Sequence, residues 1–295
     1  MSQKQFYVQS GQEQIWVTEQ GNPNNPTVLL IHGFPDDHRV WSKVAQALLP
    51  HYHVLALDLR GSGKSSCPER KSGFRIDQVI PDFWAVINAC VGDKKVHLVA
   101  HDWGSALAWS FVTEPRYAAC LHSYTSISGP HVALLWHWIN QQIRSGSPSR
   151  TRNALGQLSH SWYIFAMHIP GFPETLFSRL GKWVWPAAMK QGGVESNDPY
   201  LQHSPEEIKN ISVNTIELYR QNAFHPPTMP EPGGIQLPVQ LIELQNDPFI
   251  RPYVFEGLEN YVPQLTRRSL DANHWAPRSH PKQVAALIHQ YITQL

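Results

Sequence analysis

The sequence predicts an α/β fold: a mostly parallel sheet with helices on both faces and a helical segment inserted into it. Short, continuously apolar runs (Thr27-Val-Leu-Leu-Ile, Val54-Leu-Ala-Leu and Val96-His-Leu-Val-Ala) alternate with helical stretches near Trp41–Leu49 and Ile76–Val91. That alternation is the pattern of parallel strands buried on both faces. The rhythm stops near Pro130 and resumes at Pro238-Val-Gln-Leu-Ile-Glu-Leu. At 295 residues the chain suits one large α/β domain or two modest ones, with room for a sizeable core.

Two short alternating segments, near Phe6–Gln9 and Ile15–Glu19, open the chain and read as an antiparallel hairpin at a sheet edge. The three apolar strands and their helices follow. Beyond Pro130 come Trp136, Trp138, Trp162, Trp183 and Trp185, many prolines and at least two amphipathic helices. This stretch leaves through His225-Pro-Pro-Thr-Met-Pro-Glu-Pro-Gly-Gly234, which has the composition of a stiff linker. A separate helical domain would look similar, but the return of the sheet pattern favours an insertion. The expected division is a core of residues 1–129 and 235–295 with a helical lid over 130–234. A weaker strand near Thr266–Leu270 and a closing helix over Pro281–Leu295 complete it. The chain contains no internal repeat and no low-complexity tract.

Composition narrows the function classes. Charged residues make up 16% of the chain, against about 25% in ordinary domains, while Trp alone occurs eleven times. That favours a large aromatic core or an apolar ligand cavity over disorder. A formal charge of +1 gives no electrostatic ground for nucleic acid or an anionic membrane surface as partner. Cys67, Cys90 and Cys120 lack metal-site spacing and are odd in number, so reduced thiols in a cytoplasmic protein are expected. The N-terminus has no apolar signal core, and no stretch reaches the ~18 apolar residues of a membrane span.

The chemistry centres on Asp102. The strand ending at Ala100 and the helix opening at Ser105 enclose His101-Asp102-Trp103-Gly104. Small residues at 100 and 104 permit the sharp strand-to-helix turn of a nucleophile elbow, here with a carboxylate at its centre. A serine attacking an sp3 carbon would leave an ether that water could not cleave. A carboxylate forms an ester, which water can hydrolyse in a second step. It is also an anion at neutral pH and needs no activating base, and the N-terminus of the following helix favours that charge. A helix-capping Asp is the alternative.

His32-Gly33-Phe34-Pro35 follows the first core strand, where a glycine-rich turn can aim a backbone N–H at the nucleophile. The Phe34 and Trp103 N–H groups would then form an oxyanion hole. Asp58-Leu-Arg-Gly-Ser-Gly63-Lys-Ser looks like a phosphate loop but has Asp58 in place of the first glycine and no clear helix after it, so a structural turn is expected. Asp247 follows one late strand and His274 the last, giving the order nucleophile, acid, histidine. Asp271 competes for the acid role but lies on the approach to the same turn as His274, where a capping role suits it. Thr125-Ser-Ile-Ser-Gly-Pro130 contains no carboxylate, which excludes an acid after the preceding strand.

Together these motifs resemble the α/β-hydrolase-fold epoxide hydrolases over nearly the whole chain, most of all the hydrolase portion of mycobacterial-type proteins that continue into a short-chain dehydrogenase domain. No such domain is read in these 295 residues. The family's two lid tyrosines match Tyr163, seven residues before Pro170-Gly171, and Tyr219 in Leu218-Tyr219-Arg220. Ser105 departs from the family's usual second glycine. The resemblance implies a cofactor-independent and metal-independent enzyme. Asp102 would open a hydrophobic epoxide, Tyr163 and Tyr219 would hold its oxygen, and His274 with Asp247 would direct water at the ester. The partners implied are the epoxide and water, with no nucleic acid and no membrane span; a homodimer stays open.

Haloalkane dehalogenases share the nucleophile, histidine and lid, but typically carry a halide-binding Asn at the position of Phe34. Fluoroacetate-type dehalogenases would have Arg at Trp103. A catalytically idle ligand-binding protein on the same scaffold is the alternative from another class.

Overall fold

The structure, a computed structural model, describes residues 3–295. Met1 and Ser2, at the start of the predicted core unit, lie outside the described residues. Lys4–Ser10 (β1) and Glu13–Gln20 (β2) form an antiparallel hairpin. The chain continues through Thr27–Ile31 (β3), Ser42–Leu48 (α1), His53–Leu57 (β4), Ile76–Val91 (α2) and Val96–His101 (β5). Trp103–Thr113 (α3), Pro115–Ala118 (α4) and Leu121–Ile127 (β6) follow. Next come Val132–Arg144 (α5), Pro148–His160 (α6), Trp162–Met167 (α7), Phe172–Gln191 (α8), Pro205–Lys209 (α9) and Ile216–Asn222 (α10). Val239–Leu244 (β7), Leu265–Leu270 (β8), Ala276–Ser279 (α11) and Pro281–Ile292 (α12) close the chain.

The eight strands form one sheet in the order β1-β2-β4-β3-β5-β6-β7-β8, with β2 antiparallel to β4 and every pair from β4 to β8 parallel. Every residue of β3, β4 and β5 is buried, which is why these strands read as unbroken apolar runs. Alternate side chains serve opposite faces. Leu29 and Ile31 join Val86, Leu107 and Phe111 under α2 and α3, whereas Val28 and Leu30 join Val44, Leu48, Val284 and Ile288 under α1 and α12.

Between β6 and β7 the chain leaves the sheet for the helices α5 to α10 and returns to it beside the strand it left. Its exit is tied down: the Gly233 N–H donates to the Asn260 carbonyl at 2.7 Å, and Ile235 N–H to that of Tyr261 at 3.1 Å. Because β3 and β5 to β8 run the same way, their C-terminal ends lie together. The turns that follow them bring His32–Phe34, Asp102, Ser128, Asp247 and His274 to one edge of the sheet.

Asp58 and its neighbours build a structural turn. Asp58 accepts from the His38 N–H, the His38 ring Nδ1 and the Lys64 N–H, at 2.8, 2.7 and 2.9 Å. Arg60 forms a buried two-pronged pair with Asp82, at 2.8 and 2.7 Å, that pins the loop to α2.

Candidate active site

Asp102 sits between β5 and α3 with φ 54° and ψ −126°, a left-handed conformation unusual for an L-residue. Two glycines permit the turn. A Cβ on Gly33 would lie 2.2 Å from Asp102 Oδ1, and one on Gly104 would lie 2.2 Å from the His32 carbonyl oxygen. The strained turn lifts the carboxylate clear of the sheet, with 13% of its side-chain surface still accessible.

The loop after β3 closes over it. The Phe34 N–H donates to Asp102 Oδ1 at 2.7 Å. His32 fixes that loop from below: its Nδ1 donates to the Gly33 carbonyl at 2.8 Å and its Nε2 accepts from Leu59 N–H at 3.0 Å. Burial holds this imidazole neutral, below its ordinary pKa, as the pairing requires. Trp103 is the first residue of α3, so its N–H is among the helix-terminal donors without an intrahelical partner.

Asp247 lies just past β7. Its Oδ1 accepts from the Phe249 and Ile250 N–H groups at 2.7 and 3.0 Å, and its Oδ2 accepts from His274 Nδ1 at 2.9 Å. The other ring nitrogen, Nε2, stands 3.5 Å from Asp102 Oδ2. The imidazole therefore bridges two carboxylates. Burial opposes its charge, but Asp247 and Asp102 outweigh burial and push His274 up to about 10. Burial likewise works against the two carboxylates, and His274 more than offsets it, holding both below the ordinary range. Asp271, the competing acid, is exposed and accepts from Asn246 Nδ2 at 2.6 Å, away from the His274 ring.

Three contributors to the site escaped the sequence reading. Ser128, directly after β6 and itself at φ 50°, donates to Asp247 Oδ2 and lies 3.0 Å from His274 Nδ1. His101 Nε2 donates to the His274 carbonyl at 2.8 Å, holding the backbone of that turn. Asp36 accepts from Trp275 Nε1 at 3.0 Å and from Tyr200 Oη at 2.8 Å, tying the loop after β3 to the His274 turn and to the helical insertion. Its complete burial pushes the carboxyl up to about 7. Ser105 is also more than a tolerated departure. Its hydroxyl lies within 2.7 to 2.8 Å of Tyr124 Oη, Ser126 Oγ and the Gly129 carbonyl, beneath the elbow.

Above Asp102, Tyr163 of α7 and Tyr219 of α10 line a cavity of about 710 Å³, counting its open mouth. Leu135, Trp136, Ile164 and Ile250 are among the other walls. Tyr219 packs edge-on against Trp103, Phe34 and Tyr163, with ring centroids 4.9, 5.0 and 5.9 Å away. Burial raises both phenols well above 10. The charge of Asp102 adds to it in each case, so both remain protonated donors. The structure therefore brings Asp102, Trp103, Tyr163 and Tyr219 to one apolar cavity, with Phe34 and His274 against Asp102 and Asp247 behind His274. Among the described residues, the group with metal-ligand spacing is Asp37, His38 and Asp58, which do not line this cavity. Its carboxylates already bond to Arg39, His203, His38 and Lys64.

The model of the α/β hydrolase fold family matches residues 26–281. Among individual proteins, the chain is 32% identical over 281 residues to "Probable oxidoreductase EphD" of Mycobacterium tuberculosis, covering 94% of this chain and 47% of that protein. It is 26% identical over 282 residues to "Epoxide hydrolase 3" of Mus musculus, covering 92% and 71%. The chain thus spans about half the length of the mycobacterial relatives it matches. An epoxide hydrolase from Bacillus megaterium, solved with an inhibitor, superposes with a TM-score of 0.79 at 24% identity, over 97% of this chain and 99% of that one.

Proposed function

The chain belongs to the α/β hydrolase fold family, and from that premise we propose that it is an epoxide hydrolase converting a hydrophobic epoxide into a vicinal diol, with the helices of residues 130–234 as its lid. One observation carries this: two protonated tyrosine hydroxyls share an apolar cavity with an aspartate nucleophile.

Asp102 Oδ1 is held by the Phe34 N–H, which leaves Oδ2 to attack a ring carbon. The ring C–O bond breaks, and the departing oxygen takes a proton from Tyr163 or Tyr219. Alkylation removes the negative charge of Asp102. His274 then loses one of its two carboxylate partners and its proton affinity falls; its proton makes good the one the tyrosine gave up, and the neutral Nε2 can accept a proton from water. That water attacks the Asp102 carbonyl carbon. The Phe34 and Trp103 N–H groups hold the oxyanion, and the collapse releases the diol while Asp102 keeps an oxygen from water. Asp247 keeps the imidazole oriented throughout.

The side chain of Phe34 packs against Phe177 and Tyr219 and offers no donor to a halide, which disfavours a dehalogenase. The mycobacterial relatives, matched over about half their length, support a finer reading. In it the chain corresponds to the hydrolase portion of an epoxide hydrolase/short-chain dehydrogenase protein.

The deciding experiment is turnover of styrene oxide, trans-stilbene oxide, a fatty-acid epoxide and 1-bromobutane, with one single-turnover run in oxygen-18 water. Diol with unlabelled first-turnover oxygen, and label on the Asp102 peptide, is expected. Bromide release without diol would move the protein to the dehalogenases. Tight binding of the epoxides without any turnover would mark an idle ligand-binding scaffold.

Ser128 is a positioning residue in this scheme. Ser128→Ala should slow ester hydrolysis by about tenfold, the worth of one hydrogen bond to a charged group, and leave alkylation unchanged. Rapid-quench kinetics separates the two steps. A loss confined to alkylation would show that Ser128 does not act through Asp247 and His274.

A further inference from the structure

The charge of this protein is segregated, and its total hides the fact. Residues 131–192 contain six basic side chains (Arg144, Arg150, Arg152, Arg179, Lys182 and Lys190) and one acidic one, Glu174, a formal charge of +5. The whole chain carries +1, so the remainder carries −4. Glu174 is paired with Arg220, and among the described residues none of the six basic side chains pairs with a carboxylate.

The same part of the lid exposes large apolar side chains. Trp162, Phe165 and Ile169 on and just after α7 are 67%, 52% and 52% exposed, and Phe172, Leu180 and Trp183 on α8 are 48%, 46% and 58% exposed. At 3.6 residues per turn, Phe172, Leu176, Leu180 and Trp183 fall on one side of α8, and Arg179, Lys182 and Lys190 fall on or beside that stripe. Lys182 Nζ lies 4.1 Å from the centre of the Trp183 ring. The opposite side of α8, with Phe177, Trp185 and Met189, is buried. An apolar ridge with a basic flank, on a helix whose other side is packed, suits a helix lying flat in a lipid–water interface. Among the described residues, no helix is long and apolar enough to cross a membrane.

We propose that the α7–α8 face of the lid docks on the surface of an anionic lipid bilayer. Charge decides between this and a second copy of the chain. A two-fold contact through the same face would set Arg179, Lys182 and Lys190 of the two copies against each other, and Glu174, the one carboxylate on α8, is already paired with Arg220. An anionic leaflet supplies the missing charge, at a separation where each Lys or Arg contributes to binding. The exposed residues of α7 adjoin the site: Phe165, 52% exposed, and Phe224, 5.4 Å from it between ring centroids, both line the cavity above Asp102. A lipophilic substrate dissolved in the bilayer would reach the cavity without crossing water. The docking stands independently of which reaction the site performs.

The test is flotation of the full chain with vesicles of phosphatidylcholine and phosphatidylglycerol in equal parts, against pure phosphatidylcholine. Two double variants, Phe172→Ser with Trp183→Ser and Arg179→Glu with Lys182→Glu, serve as comparisons, and the oligomeric state is measured by light scattering. The expected result is binding to the anionic vesicles that weakens by at least about tenfold on pure phosphatidylcholine, in about 0.5 M salt, and in either variant. All four residues are exposed and lie outside the cavity, so both variants should keep their activity on a small, water-soluble substrate. Failure to float, equal flotation on both lipids, or variants that bind as wild type would each overturn the proposal. A wild-type dimer that Phe172→Ser with Trp183→Ser turns into monomer would overturn it in favour of a self-interface.

Discussion

Replacing His274 by Gln should arrest the enzyme halfway, with one equivalent of product chemistry consumed and the substrate left as an ester on Asp102. The expectation follows from the division of labour across a 3.5 Å gap. Asp102 needs no base to attack, because it is already an anion with the Phe34 N–H on one oxygen. Gln preserves bulk and an N–H but cannot take a proton from water. Hydrolysis should fall by about 10³ or more, while alkylation survives. Mass spectrometry would find the Asp102 peptide heavier by the mass of the substrate. An inactive variant that binds substrate yet carries no adduct would remove His274 from this role.

The same pairing fixes the pH dependence. In the resting enzyme His274 is raised to about 10 by Asp247 and Asp102 against the opposing effect of burial, so it is an imidazolium through the neutral range. Once Asp102 is esterified, only Asp247 supports that charge. The hydrolytic step should therefore rise with pH through a value below 10 and level off above it, because the neutral imidazole is the base. Alkylation requires ionised Asp102, whose carboxyl is held below its ordinary range, and protonated tyrosines, whose phenols are raised well above 10, so it should stay flat from strongly acidic pH up through the neutral range.

How much of this was legible beforehand depends on whether the signal is local. The buried strands β3, β4 and β5 announce themselves because both faces must be apolar. β6 does not, since His122, Ser123, Thr125 and Ser126 interrupt it. Three of these find partners only in the folded molecule: Ser123 on His97, Thr125 on Gln240 and Ser126 on Trp109. β8 reads weakly because it is an edge strand that carries Arg267 and Arg268 and is only partly buried. Asp102, Asp247 and His274 stand out because each follows a strand, and parallel strands deliver their ends to one place. Ser128 follows a strand too, but a search for a carboxylate passes over a serine whose role depends on Asp247, 119 positions away. Asp36 is invisible for a similar reason: its partners Tyr200 and Trp275 meet it only through the tertiary fold. The concentration of basic charge on residues 131–192 escapes a net total by construction.

Substituting Tyr163 or Tyr219 by Phe should slow alkylation and spare hydrolysis. The bond that breaks first releases a strongly basic alkoxide, and the cavity is otherwise walled mostly by apolar side chains, with the Ser128 hydroxyl committed to Asp247 and that of Ser161 beside Gln157. Both phenols are kept protonated by burial and by the charge of Asp102, so each arrives at the transition state as a donor with its proton in place. Phe retains the edge-on contacts of Tyr219 with Trp103 and Phe34, and those of Tyr163 with Phe249, so the loss isolates the hydroxyl. One substitution should cost about 10² in the alkylation rate and both together about 10⁴, the range for a positioned general acid. Ester hydrolysis involves no departing epoxide oxygen, and its rate, read from the decay of accumulated ester after a substrate chase, should change little. If both steps slow equally, the tyrosines shape the lid without handling the proton. If the double variant alkylates at the wild-type rate, the oxygen is protonated by water, and the pairing of these hydroxyls with Asp102 is no longer grounds for assigning epoxide opening.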